Sequence, residues 1–318
     1  MNFPTKHLFI TGGTGFFGRA LLRHFRQHES FEISILSRDP DRFLKTYPEF
    51  RNFKNWVQGD VMDPRSLPRE RYFSHVIHAA ADSTLGPKLR PMDRYDQIVT
   101  GTKNVLDLAV AVGAKRFLLT SSGGVYGPQP FSMALIPEDY CGMPDPLNPH
   151  NAYGVAKRMA EHLCVLYQDK HGIDTIVARC FAFVGRDLPL DVHFAIGNFI
   201  RDALWRDEIT VSGDGTAVRS YLDQSDLAVW LMTLLEKGKP GRAYNVGSDK
   251  PIAIADLARL VRDTISPNKK VNIMGEPSAT DANRSVYVPD ITRAKEELGL
   301  GVTVALEDAI RNTAQAYQ

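Results

Sequence analysis

Thr11-Gly12-Gly13-Thr14-Gly15-Phe16-Phe17-Gly18 carries glycines at the spacing G-x-x-G-x-x-G. A first glycine permits a tight turn at the end of a strand. A second lets the backbone approach a pyrophosphate, and a third lets a helix pack closely on a sheet. Such a motif has meaning only between a strand and a helix. Upstream, His7-Leu8-Phe9-Ile10 is a short apolar run. Downstream, Arg19 to Gln27 has helical spacing with Leu21, Leu22 and Phe25 on one side. Ile33-Ser34-Ile35-Leu36 then predicts the next strand. The unit is βαβ, which builds a parallel sheet with right-handed crossovers. Gly12, Thr14, Gly15, Phe16, Phe17 and Gly18 are therefore expected around the phosphates of a dinucleotide, where helix amides and the helix dipole favour negative charge.

Further apolar runs recur at Trp56-Val57, His75–His78, Phe117–Thr120 and Thr175–Ala178, separated by helical stretches at Gln97–Val112 and Ala152–Gln168. Uniformly apolar strands of this kind are buried on both faces. The fold class is α/β, a Rossmann-type doubly wound parallel sheet. After about Arg179 the alternation weakens. Asn198–Trp205, Ser225–Lys237, Ile254–Thr264 and Thr292–Leu298 read as helices of a smaller, mixed C-terminal region. The chain has 318 residues, 38 basic against 37 acidic, and a net charge of +1, so no long-range field gathers nucleic acid. Cys141, Cys164 and Cys180 have no metal-ligand spacing and suit free thiols, and no metal site is expected. The absence of an apolar run of spanning length and of a secretion-type leader gives the expectation of a cytoplasmic protein without membrane partners.

The end of the second strand reports on the cofactor. An acidic residue there would suit an adenosine ribose 2′-hydroxyl, but the chain has Ser37-Arg38-Asp39. A guanidinium and a hydroxyl suit a 2′-phosphate, which favours NADP while leaving NAD open. Asp60 and Val61 follow the third strand, where Asp60 is expected at the adenine edge. Ala79, Ala80 and Ala81 end the fourth strand and are small enough for a cofactor to lie across it. His78 reads as a packed strand residue.

Tyr153 and Lys157 are four residues apart in a helical stretch and share a face. A free tyrosine with a pKa near 10 is a poor base, and an adjacent ammonium favours its phenolate. Lys157 can also hold ribose hydroxyls. Ser122 follows the strand Phe117–Thr120 at the sheet's carboxyl edge, where ligands bind in such folds.

These segments, together with Gly101–Leu106, Ser121–Gly127, Arg219–Ala228 and Tyr244–Ser248, span nearly the whole chain in one order. In that order they resemble the extended short-chain dehydrogenase/reductase family of nucleotide-sugar epimerases and dehydratases. The resemblance implies a cofactor domain over residues 1–180 and a nucleotide-sugar region over residues 181–318, with some elements crossing between them. It implies a homodimer formed through Gln97–Val112 and Ala152–Gln168, and a nucleoside-diphosphate sugar as substrate. It makes Ser122, Tyr153 and Lys157 catalytic. It also puts Ser83, Ser122, Gly123 and Tyr126 near the substrate, and Asn198 (at a helix start), Arg219 and Arg284 near its diphosphate. Tyr126 fits the core nearly as well, and His193 reads as structural or exposed more than as pocket-lining. Pro128–Pro149 reads as a surface loop leading to the catalytic helix.

Three departures from the family pattern narrow the activity. The 4,6-dehydratases carry Asp-Glu after the catalytic Ser/Thr, and the decarboxylases also use a glutamate there. Here those positions are Gly123 and Gly124. Dehydration needs a second acid/base, so dehydratase and decarboxylase rank low. Ala182 and Ile98 stand where asparagines are usual. What remains is redox at one carbon: an epimerase acting by transient hydride transfer at sugar C4, or an NADPH-dependent reductase of a 4-keto sugar. A dinucleotide-binding scaffold without activity is the alternative of a different class, and such proteins usually lose one of the three catalytic residues.

Overall fold

The computed structural model describes residues 6–28, 31–81, 88–276 and 285–318. The expected opening unit is present as β1 (His7–Thr11), α1 (Phe16–Phe25) and β2 (Glu32–Ser37). Leu21, Leu22 and Phe25 are buried, as their spacing requires. The helix starts directly after the glycine turn and stops at Phe25, earlier at both ends than the periodicity from Arg19 to Gln27 suggests.

The chain continues through α2 (Pro40–Thr46), β3 (Asn55–Gln58), β4 (His75–His78), α3 (Pro91–Ala111), β5 (Arg116–Ser122), α4 (Ala152–His171) and β6 (Asp174–Cys180). It then runs through β7 (Phe183–Val184), α5 (Ala195–Trp205), β8 (Glu208–Val211), β9 (Val218–Arg219), β10 (Leu222–Asp223), α6 (Gln224–Lys237) and β11 (Arg242–Val246). The last elements are β12 (Ile252–Ala253), α7 (Ile254–Ile265), β13 (Lys270–Ile273), β14 (Val286–Tyr287), α8 (Thr292–Leu298) and α9 (Leu306–Gln315). Among the described residues the main sheet has seven strands in the order β11-β6-β5-β4-β1-β2-β3. The pairs β1–β2, β1–β4, β2–β3 and β4–β5 are parallel. The order reverses direction at β1, so the carboxyl ends of β1 and β4 flank a crevice of the kind that takes ligands in open α/β sheets.

Two compact units emerge. One comprises Met1–Val125, Met143–Arg179 and Ala228–Tyr244, and the other Tyr126–Gly142, Cys180–Leu227 and Asn245–Gln318. In the first, α3 and α4 cover one face of the sheet. Val105, Leu106 and Ala109 from α3 and Ala156, Ala160 and Cys164 from α4 pack on Phe9, Val76, Phe117 and Leu119 of the strands. Removing a large side chain from such a core typically costs about 2–5 kcal/mol. Arg116 ties β5 to the last turn of α6, donating through Nε to the Leu235 carbonyl.

In the second unit, α5, α7 and α9 gather around the parallel pair β8–β13. The proline-rich stretch is more than a surface loop there. Ile136 is fully buried, and its carbonyl accepts from Asn245 Nδ2 at 2.8 Å and from the Asp290 amide at 2.8 Å. A buried backbone segment must satisfy its polar groups, and Asn245 does so. Cys141, Cys164 and Cys180 are free thiols. No helix among the described residues is long and apolar enough to cross a membrane.

Candidate active site

The glycine turn is shaped as its spacing requires. Gly12 has φ +73°, and a Cβ there would lie 2.3 Å from the Ala79 carbonyl oxygen. A Cβ on Gly18 would lie 2.2 Å from the Gly13 backbone, so α1 can approach the turn only because both positions are bare. Gly15 differs: a Cβ there meets only the Gly12 carbonyl, at 3.4 Å. It is exposed and is the N-cap of α1, with no side chain to cap or cover the first turn. This is the cradle a pyrophosphate needs, and the residues fit an NAD(P) cofactor.

Around it, Ser37 Oγ accepts from the Asp39 amide at 3.2 Å, and Asp39 accepts from the Arg42 amide at 2.9 Å as the N-cap of α2. Arg38 is exposed, and its guanidinium has no partner among the described residues. Asp60 turns one carboxylate oxygen onto the Met62 amide at 2.9 Å, and the Val61 carbonyl accepts from Asn104 at 2.8 Å. Ala79, Ala80 and Ala81 are half-buried, with the Ala79 amide donating to Thr11 at 3.1 Å. His78 lies beneath them, buried. Its Nδ1 sits 2.7 Å from Thr11 Oγ1 and its Nε2 3.2 Å from Thr102 Oγ1. Burial, with Lys157 adding to it, pushes its pKa down to about 3. A neutral ring with both nitrogens occupied is a brace between β1, β4 and α3.

The expected catalytic trio comes from two elements. Ser122 is the last residue of β5, inside the strand rather than after it. Tyr153 and Lys157 lie in the first two turns of α4. Gly154 is what lets α4 approach: a Cβ there would lie 2.7 Å from the Gly124 carbonyl oxygen. The buried Lys157 Nζ donates to the Thr120 carbonyl at 2.8 Å and sits 5.9 Å from the Tyr153 ring centroid. Ser122 Oγ accepts from the Gly124 amide at 3.1 Å, which orients the hydroxyl at the strand end. A Cβ on Gly124 would stand 3.4 Å from Ser122 Oγ and 3.7 Å from the Tyr153 ring. A second acid/base at that position would therefore touch both groups, and the chain has only a hydrogen there. Ile98, where an asparagine is usual, is 3% exposed and belongs to the core.

Sequence reasoning missed the support beneath this trio. Glu161, two turns after Tyr153 on α4, accepts from Ser121 Oγ at 2.5 Å and from Arg179 Nη2 at 2.8 Å. The signal was the spacing 153, 157, 161 along one helix face. Arg94 was also missed: its guanidinium carbon lies 4.2 Å from the Tyr153 ring centroid.

Residues expected at the substrate are distributed differently. Tyr126 is 1% exposed and donates its hydroxyl to Asn245 Oδ1 at 2.8 Å, so it packs in the core rather than lining open space. Gly123 is buried in the short turn after β5. In the second unit, Asn198 lies in the first turn of α5, which begins three residues earlier than expected, at Ala195. Asn198, Arg201, Thr210, Val211 and Gly213 line a cavity of about 720 Å³. His193, although exposed, lines it too, with its ring centroid 4.2 Å from that of Phe194. Arg219, in β9, is held by the Ser285 carbonyl at 2.9 Å and does not line that cavity. Ser83 and Arg284 lie outside the described residues. No cluster suited to a metal ion occurs among the described residues.

Comparison with known proteins agrees with this arrangement. The family described as the NAD dependent epimerase/dehydratase family matches residues 8–247. UDP-glucuronic acid decarboxylase 3 of Arabidopsis thaliana is 31% identical, over 96% of this chain and 87% of that protein. Among solved structures, UDP-glucose 4-epimerase of Thermotoga maritima superposes with a TM-score of 0.82 at 22% identity, covering 98% of each chain. RMD from Pseudomonas aeruginosa, complexed with NADPH, superposes with a TM-score of 0.80 at 25% identity, covering 98% of this chain and 99% of that one. With the glycine cradle, the parallel sheet and the matched span in agreement, the chain belongs to the NAD-dependent epimerase/dehydratase family, within the extended short-chain dehydrogenases/reductases.

Proposed function

We propose that the protein is an NAD(P)-dependent nucleotide-sugar epimerase that inverts C4 of the sugar. The observation that carries this reading is the bare Gly124 between Ser122 and Tyr153. Redox at one carbon needs one acid/base, and Tyr153 supplies it. Elimination or loss of carbon dioxide calls on a second group at the position where the chain has none.

When bound along the glycine turn, NAD(P) would take up and return the hydride. Tyr153 removes the proton of the C4 hydroxyl and later returns one. Ser122 donates a hydrogen bond to the same oxygen, and Lys157 holds the phenolic oxygen ionised by its charge. Product NMR on a panel of UDP-, GDP-, CDP- and dTDP-sugars tests the reading. The expected result is a C4 epimer formed without net cofactor consumption. Release of carbon dioxide or a 4-keto-6-deoxy product would overturn it.

A second reading, reduction of a 4-keto sugar with net use of NADPH, is favoured by Arg38. An exposed guanidinium without a partner among the described residues, next to Ser37, suits a 2′-phosphate. The bound NADPH of the RMD structure is in keeping with this. Arg38→Ala is expected to weaken NADP binding about 10- to 100-fold while leaving NAD unchanged, since a charge-assisted contact is worth about 1.5–3 kcal/mol. Titration with both cofactors checks this, and an equal loss for both would remove Arg38 from the cofactor site.

We also propose a homodimer through α3 and α4. Met159 and Leu166, seven residues apart on one face of α4, are 39% and 47% exposed, and Val165 beside them is 51% exposed. Leu166→Asp is expected to yield monomers in sedimentation. A dimer that survives this substitution and its counterpart Met159→Asp would place the interface elsewhere.

A further inference from the structure

Arg94 breaks a local rule. It sits in the first turn of α3, which starts at Pro91, and the positive end of the helix dipole disfavours a cation there. It is half-buried, which penalises its charge further. No carboxylate offsets this among the described residues, because the neighbouring Asp93 is taken by Arg90 at 2.8 Å. The guanidinium instead lies over the Tyr153 ring, with its carbon 4.2 Å from the centroid. A cation kept in an unfavourable place against the acid/base points to a role there.

We propose that Arg94 is a positioning residue for Tyr153: lying over the ring, it is the second cation, beside Lys157, that holds the phenolic oxygen ionised and fixes the ring's direction. This rests on the reading of Tyr153 as the acid/base. The groups around the ring allow the assignment. From α4 comes Lys157, anchored on Thr120, and from α3 comes Arg94. The end of β5 offers the uncharged Ser122 hydroxyl, and His78 of β4 is held neutral by burial. Glu161, further along α4, is neutralised by Arg179, Asp96 of α3 is exposed, and His150 in the turn before α4 faces solvent. No acid faces the ring among these groups, and two cations do. An opposite charge close to an acid favours its ionised form.

The test uses the full chain with and without NADP. The tyrosinate absorption of Tyr153 is isolated by subtracting the Tyr153→Phe titration in each background. Arg94→Met, which keeps an apolar stem over the ring, is expected to raise the Tyr153 pKa by about one unit. The acidic limb of the kcat/KM profile moves up by the same amount, so turnover below that limb falls about tenfold, while the alkaline plateau stays near wild type. Arg94→Lys restores part of both shifts. An unchanged Tyr153 titration in a folded Arg94→Met protein overturns the proposal. So does a raised KM for the sugar nucleotide with an unmoved pH profile, which would make Arg94 a substrate contact. The titration reads the tyrosine without any substrate, so a failed epimerase assay leaves this result standing or falling on its own.

Discussion

Tyr153→Phe is expected to lower kcat about 1,000-fold, within the range general acid–base groups contribute, which corresponds to about 4 kcal/mol of transition-state stabilisation. The substitution removes one oxygen and keeps the ring. The face under Arg94 and the neighbours of the ring stay filled, so the loss reports on proton transfer rather than packing. Lys157 keeps its bond to the Thr120 carbonyl, because that bond does not involve the tyrosine. Any part Lys157 has in holding the cofactor ribose is therefore preserved. Nicotinamide fluorescence on binding should be unchanged while product NMR falls to background. Wild-type turnover in this variant would end the proposed chemistry. An equal loss of cofactor affinity would instead make Tyr153 a structural support.

The parts of this molecule readable from sequence are those where a short-range rule decides. The βαβ start is a change of period around a glycine turn, and Tyr153 and Lys157 meet because residues four apart on a helix share a face. Arg94 has no such signature. It meets Tyr153 because α3 packs on α4, and the two residues are 59 positions apart in the chain (153 − 94). Tyr126 failed for a similar reason: its partner, Asn245, lies 119 residues away. Helix α9 is absent from the sequence reading because its buried face, Ala309, Ile310, Thr313 and Ala314, holds a single large apolar side chain, although its polar and apolar faces are well separated. The helix α2 was readable after all. Asp39 followed by Pro40 is an N-cap with proline at the first helical position, a short-range signal for a helix start.

Gly12→Ala and Gly15→Ala are expected to separate folding from cofactor binding within a single turn. At position 12 an added methyl meets two penalties. The backbone is in the left-handed region at φ +73°, and the Cβ would stand 2.3 Å from the Ala79 carbonyl oxygen and 2.8 Å from the Ala80 nitrogen. Both obstacles are backbone, so neither can be moved by a rotamer change. Relief requires the turn to part from the end of β4, where the Ala79 amide donates to Thr11. A strained φ and forced overpacking together cost about 3 kcal/mol or more. For a chain of this size that lowers the melting temperature by roughly 5–10 °C. At position 15 the same methyl meets only the Gly12 carbonyl at 3.4 Å, with φ at −80°. The cofactor-free protein should then melt within about 1 kcal/mol of wild type, since the new residue adopts the native backbone without strain. Its methyl, however, occupies the seat that a pyrophosphate would take against the first turn of α1. The rise in melting temperature that wild type gains on adding NADP should be lost in Gly15→Ala. Thermal melts with and without NADP read both effects. If Gly15→Ala keeps the full ligand-induced rise, the phosphates do not bind at this turn. If Gly12→Ala melts like wild type, the close approach to Ala79 is not what holds the turn in place.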